Sequence, residues 1–116
     1  MFISYKGFNT QIMTFENDTE IKMNAPVTLD ESGKLVPAKA GESFIGCLVS
    51  RRNGTAAVQM VGYMEIPFTG TTPKYGYNRL VANGNGGVVV STDENAPLYR
   101  VLYRSNEAGI AGVILS

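Results

Sequence analysis

Few side chains in this 116-residue chain can do chemistry: there is one cysteine, Cys47, ten acidic residues and no histidine. The missing imidazole removes the usual general base at neutral pH and the commonest zinc ligand. Ser-His-Asp and Cys-His catalysis are therefore excluded, and a structural zinc site with them. That leaves carboxylates. Asp30-Glu31 and Asp93-Glu94 are adjacent pairs, and Asn17-Asp18-Thr19-Glu20 forms a small acidic turn. None fits the calcium loop D-x-[DN]-x-[DN]-G. Glycoside hydrolysis would require a cleft holding two of Asp30, Glu31, Glu42, Glu65, Asp93 or Glu94 about 5 to 9.5 Å apart, which their spacing does not suggest. They read as solvated turn residues, and no enzyme activity and no cofactor is expected. The run Asn83-Gly84-Asn85-Gly86-Gly87 lacks the G-K-[ST] ending of a phosphate loop and leads into Val88-Val89-Val90, so it reads as a turn.

The remaining functional side chains are arginines and aromatics, which suit binding. Arg51-Arg52 precede a tight turn, while Arg100 and Arg104 alternate with Val101 and Tyr103, so the four could form a basic strip. Arginine and tyrosine are enriched where proteins meet proteins. Nucleic acid is disfavoured by the balance of ten basic against ten acidic residues, which leaves no net field. Tyr63, Tyr75, Tyr77, Tyr99 and Tyr103 are candidates for a sugar-stacking platform. Phe2, Tyr5, Phe8 and Phe15 mark an aromatic N-terminal segment.

The elements that must position these groups read as strands. No stretch sustains a 3.6-residue apolar period over ten residues, the minimum for a confident helix. Residues 1–24 read as an arm or first hairpin, with strands at Thr10–Phe15 and Glu20–Met23 about an Asn17-Asp18 turn. Residues 25–116 read as one β domain with one core. Val27–Leu29 and Lys34–Val36 make a hairpin, with Gly33 free to take positive φ. Phe44–Ser50 and Thr55–Ile66 make another about Asn53-Gly54. In the long strand Val58, Met60, Gly62, Met64 and Ile66 share the more apolar face, with Gly62 marking a bulge or bend. Pro67–Tyr77 reads as a turn-rich crossover. Cys47, in the apolar run FIGCLV, reads as a buried thiol. The N-terminus does not read as a signal peptide and no window is long and apolar enough to span a bilayer, so a soluble protein is expected.

The stretch 27–60 returns in degraded form at 80–115. Val27 aligns with Leu80, Gly33 with Gly86 and Leu35 with Val88 at an offset of 53, and Thr55–Met60 aligns with Ile110–Leu115 at an offset of 55. Such self-similarity predicts two similar hairpin-rich halves. The expected fold is all-β, a small barrel or compact sandwich of eight or nine strands.

The motif APVTLDESGKLVPAKAGESFIGCLVSRRNGTAAVQMVGYMEI resembles the small bacteriophage capsid cement, or head decoration, proteins. The likeness runs through Val27-Thr28-Leu29, Gly33-Lys34-Leu35-Val36, Ala40-Gly41-Glu42, Phe44-Ile45-Gly46 and Val58 to Gly62, and more loosely through the second copy. The resemblance implies a non-enzymatic β-barrel protein, made in the host bacterial cytoplasm, on the outer surface of an icosahedral head. There it would bridge major capsid subunits and gather at threefold positions as a homotrimer. It transfers no residue roles. The contact candidates from the residues themselves are Phe2, Tyr5, Phe8, Arg51, Arg52, Tyr75, Tyr77, Arg100, Tyr103 and Arg104. The alternative is a sugar-binding or tail-associated β module of a phage particle.

Overall fold

The computed structural model describes residues 11–17 and 19–115. Among them there are nine strands and no helix: β1 (Gln11–Glu16), β2 (Pro26–Leu29), β3 (Leu35–Pro37), β4 (Gly46–Arg52), β5 (Thr55–Thr69), β6 (Gly76–Ala82), β7 (Val88–Val90), β8 (Leu98–Ser105) and β9 (Ile110–Leu115). Five of them close a barrel. The C-terminal half of β5 pairs antiparallel with β9, β9 with β8, β8 with β6 and β6 with β7. A short parallel contact, Phe68↔Val88 and Thr69↔Val89, returns β7 to β5 and shuts the ring. The other four strands form a wing: β1 and β4 pair with the N-terminal half of β5, β2 with β4, and β3 with β2.

β5 belongs to both parts, and its alternation explains how. Ala56 and Val58 are buried in the wing, while Met64 and Ile66 are buried in the barrel on the same alternate set of positions. Met60, between them, is half-buried. The changeover falls at Gly62, the first residue of β5 to pair with β9, where φ is +107°. Side chains rarely tolerate that conformation, so the break expected at this glycine sits where the strand changes sheets. One core was expected and two clusters are found: Ile66, Leu80, Val88, Val101 and Val113 fill the barrel, and Ile21, Val27, Leu35, Leu48 and Val58 fill the wing. The cause is the length of β5, whose N-terminal half pairs in the wing and whose C-terminal half pairs in the barrel.

The two copies in the sequence fold alike. Adding 53 to each partner of Val27↔Pro37, Thr28↔Val36 and Leu29↔Leu35 gives the β6–β7 register, Leu80↔Val90, Val81↔Val89 and Ala82↔Val88. The second hairpins match as well, down to a bulge between Leu48 and Ser50 in one and between Val101 and Tyr103 in the other. The turn after β4 is Asn53-Gly54, whereas that after β8 runs from Asn106 to Gly109, and the two extra residues shift the offset to 55. The first turns also agree. Asp30 Oδ1 accepts from the Ser32 and Lys34 N–H groups at 2.9 and 3.0 Å, and Asn83 Oδ1 accepts from those of Asn85 and Gly87 at 2.7 and 3.1 Å. Asn83 also donates to Thr69 Oγ1 at 3.0 Å, fastening the turn to β5. Asp30→Ala is therefore expected to cost about 1 kcal/mol and Asn83→Ala nearer about 2 kcal/mol, read by urea unfolding.

Three expectations need correction. The N-terminal hairpin is absent among the described residues: β1 pairs with β5, and Glu20–Met23 is not a strand. Only Ile21 of that segment is buried, anchoring a loop in the wing core, so the apparent alternation there was a single anchor. The crossover is shorter than Pro67–Tyr77, because β5 runs on to Thr69 and β6 starts at Gly76. Pro67 is tolerated in a strand because it forms the last pair of the β5–β9 ladder, with Ile110, where a missing N–H costs least. The strand expected at Phe44–Ser50 starts only at Gly46 and extends to Arg52.

Candidate partner-binding face

The barrel's outer surface over β6 and β8 gathers most of the exposed apolar side chains of that half. Register sets the face, because directly opposite residues in an antiparallel pair point the same way. Tyr77 lies opposite Arg100 and Arg79 opposite Leu98. The alternate residues Asn78, Leu80 and Val101 are buried, which sends the first set outward. Tyr77 is 60% exposed, Leu98 51% and Tyr75, in the preceding loop, 50%.

The loop that carries Tyr75 is tied down from below. Buried Asn78 donates from Nδ2 to the Lys74 and Gly76 carbonyls at 2.8 and 3.2 Å, and its Oδ1 accepts from the Lys74 N–H at 3.1 Å. Arg104 donates to the Pro73 carbonyl at 2.9 Å, and its guanidinium lies 4.7 Å from the centroid of the Tyr75 ring. That separation is a cation–π contact. Arg79 donates to the Ala96 carbonyl at 2.7 Å, bracing the strand from the other side. A face held in this way loses little side-chain entropy on binding.

Of the sequence-derived candidates, Tyr75, Tyr77, Arg100 and Arg104 are thus brought together. Tyr103 sits half-buried on β8 opposite Gly112. Arg51 and Arg52 are elsewhere, at the far end of β4 opposite Ala56 and Thr55. Thr55 and Gly62 are seven residues apart along β5, roughly 23 Å at about 3.3 Å per residue, so the single basic strip becomes two separate groups. Arg51 Nε donates to Oδ1 of buried Asn17, whose Nδ2 donates to the Leu35 carbonyl at 2.9 Å. With Asn53 and Gly54 the two arginines line a polar recess of about 350 Å³. Phe2, Tyr5 and Phe8 lie outside the described residues.

Leu98 and Asn78 were missed. Leu98 carried no functional signal in the sequence, and only the β6–β8 register shows it outside. Among the five tyrosines proposed as a sugar platform, Tyr99 stacks on Phe44 at 5.2 Å and 9°, and Tyr63 lies over Gly112 and donates to Glu65 Oε2 at 3.2 Å. Of the five, only Tyr75 and Tyr77 are largely exposed.

Apart from Glu16 and Glu65, which lie in strands, the described carboxylates sit in turns and loops. Besides Asp30, Asp93 Oδ1 accepts from the Asn95 N–H at 2.9 Å and Glu42 Oε1 from the Lys39 N–H at 2.7 Å. Among the described residues no cluster of three or more His, Cys, Asp or Glu could hold a metal ion, and no helix is long and apolar enough to cross a membrane. Cys47 is fully buried and unpaired, and burial pushes its thiol far above the ordinary value of 9.0. Burial, and then the nearby Cys47, also raise Tyr99. Both groups keep their protons longer folded than unfolded, so their stabilisation is complete below the unfolded thiol value and is lost as pH rises above it. Unfolding midpoints should fall with pH beyond about 9, less steeply in Cys47→Ala. The native thiol should also resist alkylation at pH 8 until denaturant is added.

No family model and no curated protein matches the chain.

Proposed function

We propose that this protein is a non-enzymatic structural component of a phage particle, binding the outer surface of the capsid and bridging major capsid subunits. The observation that carries the reading is the braced, exposed face of Tyr75, Tyr77, Leu98 and Arg100 on a closed barrel. Tyrosine and arginine are enriched in protein–protein contacts. The resemblance of residues 25–66 to head decoration proteins names the partner, the major capsid protein, and a homotrimer as the assembly. The mechanism is mass action. A protein that binds the assembled shell and not its dissociated subunits stabilises the shell by its binding free energy, multiplied over many copies.

The Arg104 guanidinium occupies one face of Tyr75, which leaves that ring a single face for the sugar-binding or tail-associated alternative. Co-sedimentation with phage heads tests the proposal. Tyr77→Ala with Arg100→Glu should weaken occupancy roughly 30-fold, about 2 kcal/mol, with an unchanged circular dichroism spectrum. Unchanged occupancy, or binding on a glycan array that Tyr77→Ala abolishes, would contradict it. Phe2, Tyr5 and Phe8 are proposed as a second contact, tested by deleting residues 1–9 in the same assay.

A further inference from the structure

Among the described residues, the wing ends in a strand with only one paired edge. Among the described residues β1 pairs only with β5, which leaves its outer edge of backbone N–H and C=O groups without a ladder partner. Five of its six residues are exposed, and the adjacent residues Ile12 and Met13, which point to opposite faces of the sheet, are 53% and 54% exposed. The segment QIMTFE has no Pro, no Gly and no Lys, and its single charge is the terminal Glu16. Natural proteins usually blunt a bare edge with lysine, proline or a cover, because such an edge recruits another strand.

We infer that β1 is a self-association edge, pairing antiparallel with β1 of a second copy across a twofold axis perpendicular to the sheet. The strand's own sequence supplies the argument for that occupant. A twofold of this kind keeps each face on its own side, so the residues paired have numbers of equal parity. Centring it on Thr14 places Thr14 opposite Thr14, Met13 opposite Phe15 twice, and Ile12 opposite Glu16 twice. Thr–Thr and methionine–aromatic pairs are both favourable across strands. Glu16 meets no second Glu16, and with ten basic and ten acidic residues no net charge repels the copies.

The apolar face fits as well. Met13 and Phe15 pair with Val58 and Ala56, which are buried in the wing core, and Phe15 packs against that core. Met13 therefore hangs over its open margin, and the second copy's Phe15 would continue the core across the axis. Six residues per copy make a small contact, so the dimer should be weak in solution. An isologous edge cannot close a threefold ring, which makes this contact additional to any trimer.

The test uses the full chain with cysteines placed by register, Cys47 being fully buried. Opposed strand residues lie about 4.5 to 5.5 Å apart between Cα atoms, within disulfide range, whereas Ile12 and its symmetry mate are four residues out of register, roughly 13 Å. Thr14→Cys should form a disulfide dimer under mild oxidation and Ile12→Cys should not. By sedimentation equilibrium the unmodified protein should show a concentration-dependent dimer, weakened roughly tenfold by Met13→Lys through the loss of two cross-strand pairs. A monomer at every concentration, a trimer that Thr14→Cys does not cross-link, or equal cross-linking of both cysteine variants would overturn the inference.

Discussion

Gly46→Ala is expected to destabilise the protein by about 3 kcal/mol, out of proportion to one added methyl group. Gly46 opens β4 and pairs with Val27 of β2. A Cβ there would run into the Gln59 carbonyl oxygen and would lie 2.7 Å from Val58 Cγ1. The carbonyl belongs to β5, which is held between β1 and β4, so it cannot swing away as a surface side chain would. Gly54→Ala is the informative contrast. Nothing lies within 4 Å of a Cβ at that turn, and its only penalty is the positive φ of 76°, about 1 kcal/mol. Urea denaturation of the two variants should separate them, with Gly46→Ala losing the larger share of the midpoint.

Leu80→Ala should cost about 3 to 4 kcal/mol, because Leu80 is fully buried in the barrel and its loss opens a cavity among branched neighbours. Leu35→Ala, equally buried in the wing, should cost a similar amount. What distinguishes this fold is that both should shift one shared transition. The barrel cluster contains Ala38, Phe44 and Cys47 from the first copy. Across the same junction the Gly41 N–H donates to the Ala82 carbonyl at 2.8 Å and the Ala82 N–H to the Glu42 carbonyl at 2.9 Å. With β5 continuous through both parts, neither core can lose its packing alone. Separate transitions for the two variants, followed by fluorescence and far-ultraviolet circular dichroism, would show that the halves unfold independently.

The features legible in the sequence are those fixed by short-range chemistry. Asp30–Gly33 and Asn53-Gly54 announce their turns, and the 53-residue offset carries the first hairpin's register onto β6–β7 because an Asx turn and a positive-φ glycine recur at the same places. Features set by distant partners were not legible. Closure depends on Phe68 meeting Val88, twenty residues later, in a parallel contact that no turn signals. Arg51 and Arg104 occupy equivalent positions in the two copies, yet one reaches buried Asn17 and the other Tyr75, so composition alone could not separate two basic groups. The second copy also pairs β6 with β8 two residues out of step with β2 and β4, which sets Leu98 opposite Arg79, a partner that no local signal in the sequence announces.

The measurement closest to the central claim compares binding to assembled phage heads with binding to dissociated major capsid protein, together with the heat stability of the heads. Saturable binding to heads is expected, with little to free subunits and a rise in the temperature of head disruption that Tyr77→Ala with Arg100→Glu removes. Equal binding to heads and subunits, or heads no more stable with the protein than without it, would contradict it.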